Sequence, residues 1–209
     1  MIAAVASCPH PPLLLPGITG RPVAEVELLR AACLAAVTDL LASTPQRVVI
    51  VGGVSRTDLD PGKPLSIVIG RLLLAEAGCA VPIEHLVVAE GAGTEQCLAS
   101  GRELGLPPAG TALLVMADGS ARRSVKAPGY LDERAAGFDA QVEAALAAGR
   151  PAGLAALDPL LAAELLVAGR AAWQVLAGAT EGGRFEASLN YRDDPFGVWY
   201  PVATWLPRD

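Results

Sequence analysis

Two short stretches hold the side chains most able to do chemistry. The first is "SCPHPPLLLPG", residues 7–17, in which His10 stands among prolines. Proline fixes φ and removes a backbone donor, so the imidazole sits at the rigid start of a loop. A histidine held there, just past an apolar run, is placed as a first metal ligand would be. The chain has only 2 histidines, and the other, His85, lies inside an apolar run where a hydrogen-bonded core imidazole is expected. The second stretch is "MADGSARRSVKAPGYLDERAAGFD", residues 116–139. Asp118, Gly119 and Ser120 leave a strand in turn chemistry, and Arg122, Arg123 and Lys126 follow closely.

Two readings of that second stretch compete. In one it is a charged surface loop whose salt bridges are mutual, with Asp132 opening a helix. In the other, Arg122 or Arg123 offers a forked donor to a carboxylate or phosphate, with the Ser120 and Tyr130 hydroxyls beside it. Several familiar chemistries are missing. "GGVSR" and "EGAGTE" lack the spacing of a P-loop or dinucleotide fingerprint, and no G-x-S-x-G elbow is present. Trp173, Trp199 and Trp205 read as packing residues.

The elements that must position these residues alternate. Residues 2–7 and 47–53 read as buried strands, the second a β-branched run ending in glycines. Apolar spacing predicts a helix over 23–41, and another over 66–77 closed by Gly78. "HLVVAE" is a third strand, "TEQCLASGREL" a helix with Thr94 as N-cap, and "TALLVMADGS" a fourth strand. Helices follow in "DERAAGFDAQVEAALAAG", "DPLLAAELLVAG" and "AAWQVLAGAT". "RFEASLNY" and "FGVWYPVATW" then read as two antiparallel closing strands. The expected fold is α/β, a central mostly parallel sheet flanked by helices and closed by a C-terminal β-hairpin. No repeat or linker divides residues 1–209, which are expected to form one domain. In such folds ligands bind beyond the carboxyl ends of the strands, here "CPHPP", "GGVSRTD" and "ADGSARR".

Composition narrows the partners. Hydrophobic residues make up 52% and charged residues 18% of the 209, which is enough apolar side chain to drive folding. A net charge of −6 gives no overall attraction to nucleic acid or anionic membrane. No run approaches the roughly 18 apolar residues of a membrane helix, and the N-terminal "MIAAVAS" lacks a basic leader. A soluble, cytoplasmic protein is expected. The 4 cysteines, Cys8, Cys33, Cys79 and Cys97, are scattered with no CxxC pair and read as small buried hydrophobes in a reducing compartment. The aromatic-rich C-terminal hairpin and alanine-rich helix faces could serve a homo-oligomer.

Taken together, "CPHPPLLLPG", "ADGSARR" and "AGRAAWQVLAGA" resemble the B-subunit-like family of class III extradiol ring-cleavage dioxygenases, which also includes the Memo-type proteins. The order of elements agrees from the first strand to about Ala179. The "GSARRSVKAPGYLDERAAGFD" segment looks most like an uncharacterised actinobacterial branch. The resemblance implies Fe(II) held by two histidines and a carboxylate, with a further histidine as acid/base. His10 matches the first ligand. The second ligand's place reads "VGGVSR", without histidine. The acid/base histidine follows a "GDLSH"-like turn, where this chain has "ADGSA" and Ala121. The third ligand's place reads "VAGRAAW", and neither Ala168 nor Gly169 binds a metal. Asp58, Asp60 and Glu164 are conceivable substitutes, but each also suits a solvated surface.

The expectation is therefore a dioxygenase-like cleft without its Fe(II), and without any other cofactor. His10, Asp118, Ser120, Arg122, Arg123 and Tyr130 would there bind a small anionic or aromatic ligand, or a protein partner. One rival is an enzyme of other chemistry, with His10 or Asp118 as general base and the arginines as a clamp. Another is a divergent iron-dependent ring-cleavage dioxygenase whose remaining ligands lie elsewhere in the chain.

Overall fold

β-Branched runs alternate with Ala- and Leu-rich segments, and in the computed structural model they fold as strands and covering helices. Residues 2–54, 63–106 and 110–208 are described. The strands are β1 (Ile2–Cys8), β2 (Arg47–Val54), β3 (Ile83–Ala89), β4 (Thr111–Met116), β5 (Phe185–Asp193) and β6 (Tyr200–Pro207). The helices are α1 (Ala24–Ala42), α2 (Leu65–Glu76), α3 (Thr94–Gly105), α4 (Arg134–Ala147), α5 (Pro151–Ala155), α6 (Pro159–Glu164) and α7 (Arg170–Ala179). The sheet order is β3-β2-β4-β1-β6-β5. The first four strands run parallel, and β6 and β5 join antiparallel as the C-terminal hairpin. The α/β architecture expected from the sequence is the one observed.

Side chains alternate across each strand and so divide the core into two layers. Ala4, Ala6, Val48, Ile50 and Leu114 face α1 and α2, whereas Val5, Val49, Val51 and Leu113 face the layer containing α4 and α7. All three tryptophans are buried, as expected of packing residues. The Trp173 indole N–H donates to Ser7 Oγ at 3.1 Å, and that of Trp205 to the Leu146 carbonyl at 2.7 Å. Two glycines set how α7 lies. A Cβ on Gly101 would come 2.1 Å from the Val175 carbonyl oxygen, and one on Gly178 2.1 Å from that of Leu98. Any side chain there would push α3 and α7 apart, so the two helices cross almost backbone to backbone.

Three local expectations need correction. His85 is exposed rather than a core imidazole, because β3 is the edge of the sheet and is only partly covered. Thr94 is not the N-cap of α3: Gly93 holds that place without a side-chain bond. The Thr94 hydroxyl instead accepts from Gln174 Nε2 at 3.2 Å, tying α3 to α7. A short helix, α5, precedes α6, with Pro151 in its first turn, where the missing N–H costs nothing. Cys8, Cys33 and Cys97 are buried, Cys79 is half-buried, and all four are free thiols. Among the described residues no helix is long and apolar enough to cross a membrane.

The register levels the strand ends. Met116 lies opposite Cys8 on one side and Gly52 on the other, so β1, β2 and β4 end at the same edge of the sheet.

Candidate functional site

Past the ends of β1 and β4 the polar groups meet one another. The backbone N–H of His10 donates to Asp118 Oδ1 at 2.7 Å, and the ring Nδ1 lies 3.3 Å from the same oxygen. His10 and Asp118 thus form one pair. Tyr200 is buried close by, and burial first, then the Asp118 charge, pushes its phenol well above the usual range.

Of the other four residues expected in a shared cleft, Ser120, Arg122 and Arg123 are engaged within the fold, whereas the Tyr130 side chain is exposed. Ser120 is fully buried, and its hydroxyl donates to the Leu165 carbonyl at 2.8 Å while accepting from the Arg122 N–H. Arg122 donates through Nη1 to the Gly129 carbonyl. Arg123 Nε donates to Asp194 Oδ2 at 2.8 Å and lies 3.7 Å from Asp139 Oδ2. Tyr130 is 63% exposed in a left-handed backbone conformation, φ 60°, with its N–H donating to Ala127. A loop packed this closely must satisfy its own backbone groups, and these side chains do much of that. Asp139 belongs to the same network. Its carboxyl is pushed up to about 7 by burial, although the Ser120 N–H at 3.0 Å and the Arg123 charge both favour the ionised form.

The donors here do not suit the facial triad of a non-haem iron site, which needs three protein ligands converging on one ion. At the third-ligand place, the Gly169 N–H donates to the Asp118 carbonyl at 2.8 Å. A Cβ on Gly169 would stand 2.7 Å from both Ala117 Cβ and Asp118 O, and 2.9 Å from Asp118 N. No side chain fits at position 169 without displacing the Asp118 backbone, let alone a carboxylate. Glu164 points elsewhere, pairing with Arg134 Nη1 at 2.7 Å. Asp58 and Asp60 lie outside the described residues. Among the described residues no three His, Cys, Asp or Glu side chains are grouped to hold a metal ion.

The room lies on the other side of the 167–169 segment. A cleft of about 870 Å³ opens past the ends of β2 and β3, floored by Val54 and Ala89 and walled by α6 and by Leu166, Val167 and Ala168. Asp158 caps α6, accepting from the Leu160 and Leu161 N–H groups at 2.8 and 3.2 Å. That cap turns Leu160, 78% exposed, onto the rim. Leu166, on the same wall, has φ 54°, unusual for a branched residue.

Arg170 lines this cleft from the first turn of α7 and is only 3% exposed. Nη1 donates to the Ala92 carbonyl at 2.6 Å and to Gln174 Oε1 at 3.0 Å, and Nη2 donates to the Glu90 carbonyl. Gln174, fully buried, is itself held by donating to the Leu157 carbonyl at 3.0 Å. Burial pushes the neighbouring Cys97 thiol up, while the Arg170 charge pulls it the other way. Arg170 is not among the residues that the sequence singles out. The signal was there: one cation flanked by alanines and glycine in "VAGRAAW" must be carried into the interior with its neighbours.

No protein-family model matches the chain, and no curated protein matches it in sequence. The fold is similar to the crystal structure of an uncharacterised protein from Escherichia coli K12. The TM-score is 0.56 at 13% identity, over 98% of this chain and 99% of the other. At that identity the likeness concerns the fold alone.

Proposed function

We propose that this protein is an extradiol-dioxygenase-like protein of the B-subunit type whose metal site has degenerated, and that it binds a small molecule without ring cleavage. The observation that carries the proposal is the contact of Gly169 with the Asp118 backbone, which leaves no side-chain room at position 169. An apolar cleft with a few polar groups persists beside it, the ordinary form of a small-molecule site. His10 and Asp118 hold each other at the loop ends, and the arginines of the 118–130 loop serve the fold rather than an open clamp. Such a protein would work in the cytoplasm, where four free, unpaired thiols persist.

Two measurements test this reading. Elemental analysis of the purified protein should find no stoichiometric iron or zinc. Anaerobic Fe(II) loading followed by catechols should give no oxygen uptake. Stoichiometric metal that disappears in His10→Ala would overturn the proposal, and catechol-dependent oxygen consumption would favour a divergent dioxygenase.

A further inference from the structure

The sheet has two edges, β3 and β5, and they are finished differently. An open edge presents unpaired N–H and C=O groups to any extended chain, so edges usually carry bulges or charges that spoil pairing. β5 has both. Its register shifts between Leu189 and Tyr191, it exposes Glu186, Arg192 and Asp193, and Arg192 pairs with Glu143 of α4. β3 is plain. Its register with β2 runs unbroken from Ile83 to Ala89, without proline, lysine or arginine, and Arg47 of β2 matches the Glu84 charge at 3.1 Å.

The ladder fixes which groups of β3 face outward. The Pro82 carbonyl accepts from the Val48 N–H at 3.0 Å, and the Glu90 N–H donates to the Val54 carbonyl at 3.2 Å. The N–H and C=O of one strand residue point to the same side, and the side alternates along the chain. The even-numbered residues therefore bond to β2, and Ile83, His85, Val87 and Ala89 turn their groups away from the sheet. β3 pairs with no other strand. Among the described residues only the Ala92 N–H meets this outward set, donating to the Ala89 carbonyl at 2.9 Å. His85, Val87 and Ala89 are exposed.

We infer that β3 is the interface of a homodimer, in which a second copy adds its own β3 antiparallel across a two-fold axis at Leu86. The outward set is symmetric about that residue. Ile83 then meets the partner's Ala89 and His85 the partner's Val87, each pair exchanging backbone hydrogen bonds, while Leu86 packs on the partner's Leu86. No two charged residues stand opposite each other in this register. A shift of two residues either way leaves one end of the set unpaired, and one of those shifts sets His85 against the partner's His85. A strand of another protein would meet the same backbone groups without this symmetry, so a second copy is the occupant the edge fits. A strand edge buries less than the roughly 1,200 Å² of a tight dimer, so the association should be of micromolar strength.

Sedimentation velocity from about 1 to 200 μM, with hydrogen exchange read amide by amide by NMR, tests this. The mean mass should rise with concentration toward twice that of the monomer. Over the same range, exchange at the His85 and Val87 amides should slow about tenfold or more, while the Leu86 and Val88 amides, already bonded to β2, change little. His85→Pro removes an outward N–H that β2 does not use, so it should weaken the dimer about tenfold or more with the sheet intact. His85→Ala keeps that N–H and should dimerise like the unmodified protein. Should His85→Pro fail to fold, Val87→Lys, a charge on the edge, should show the same loss. A monomer at every concentration overturns the inference. So does a dimer whose His85 and Val87 amides exchange at the monomer's rates, since the copies would then meet elsewhere. An equal loss in His85→Ala would assign the contact to the imidazole and overturn the strand pairing.

Discussion

The exits of β1 and β4 and the cleft past β2 and β3 lie on either side of residues 167–169, and they treat charge in opposite ways. At the first, His10 sits against Asp118, Arg123 bridges Asp139 and Asp194, and Ser120 is spent on a carbonyl. At the second, the Arg170 guanidinium is held by two backbone carbonyls, the Gln174 amide and the Cys97 sulfur, and a cleft of about 870 Å³ opens beside it. A dense cluster of charges is often a loop satisfying itself. The second region leaves open room beside its cation. The separation between the two regions is maintained by Gly169, whose missing side chain lets the segment press onto the Asp118 backbone.

The largest effect should come from closing that boundary differently. Gly169→Glu would place a side chain within 2.9 Å of backbone atoms and a second carboxylate beside Asp118. The combined overpacking and charge burial should cost more than about 4 kcal/mol, read as loss of the urea unfolding transition. A folded variant that binds Fe(II) would break the contrast between the two regions.

Asp139 gives a smaller, pH-dependent effect on the self-satisfied side. Its folded value of about 7 lies above the ordinary 3.8, so between about pH 4 and 7 the folded state keeps a proton that the unfolded state has lost. Stability should then fall as pH rises through this window and level off above it. The expected loss between pH 5 and 8 is about 2 kcal/mol, measured by urea denaturation. Asp139→Asn should flatten this slope; an unchanged slope would mean that another group near Arg123 is responsible.

Smallest of all should be Tyr130→Gly. Relief of the left-handed backbone opposes the added freedom of the unfolded chain, leaving a gain within about 1 kcal/mol. Urea denaturation reads the change, and a loss of more than about 1 kcal/mol would mean that the Tyr130 ring adds contacts to the self-satisfied side.

Much of the fold was legible because periodicity reports burial, and burial decides elements. The β-branched "RVVIVGG" run could only be an inner strand, and the turn chemistry around "RDDP" joined two strands as a hairpin. Thr94 was misread because a hydroxyl beside a helix start suits capping, yet Gln174 from α7 reaches it first. His85 was misread because an apolar run does not reveal whether its strand lies inside the sheet or at its edge. The candidate site was legible only in part. His10 and Asp118 do meet, but Arg122, Arg123 and Ser120 turn to partners up to 71 residues away, which local spacing cannot show.

From the residues alone, the alternation of elements, the shortage of imidazole donors and the glycine at position 169 were settled, since these follow from side-chain type and period. Only the packed chain decided which charges neutralise one another and which is left facing open space. Charge pairing is a matter of distances across the fold, and Arg170 meets the Ala92 and Glu90 carbonyls, 78 and 80 residues before it, only when the helices close.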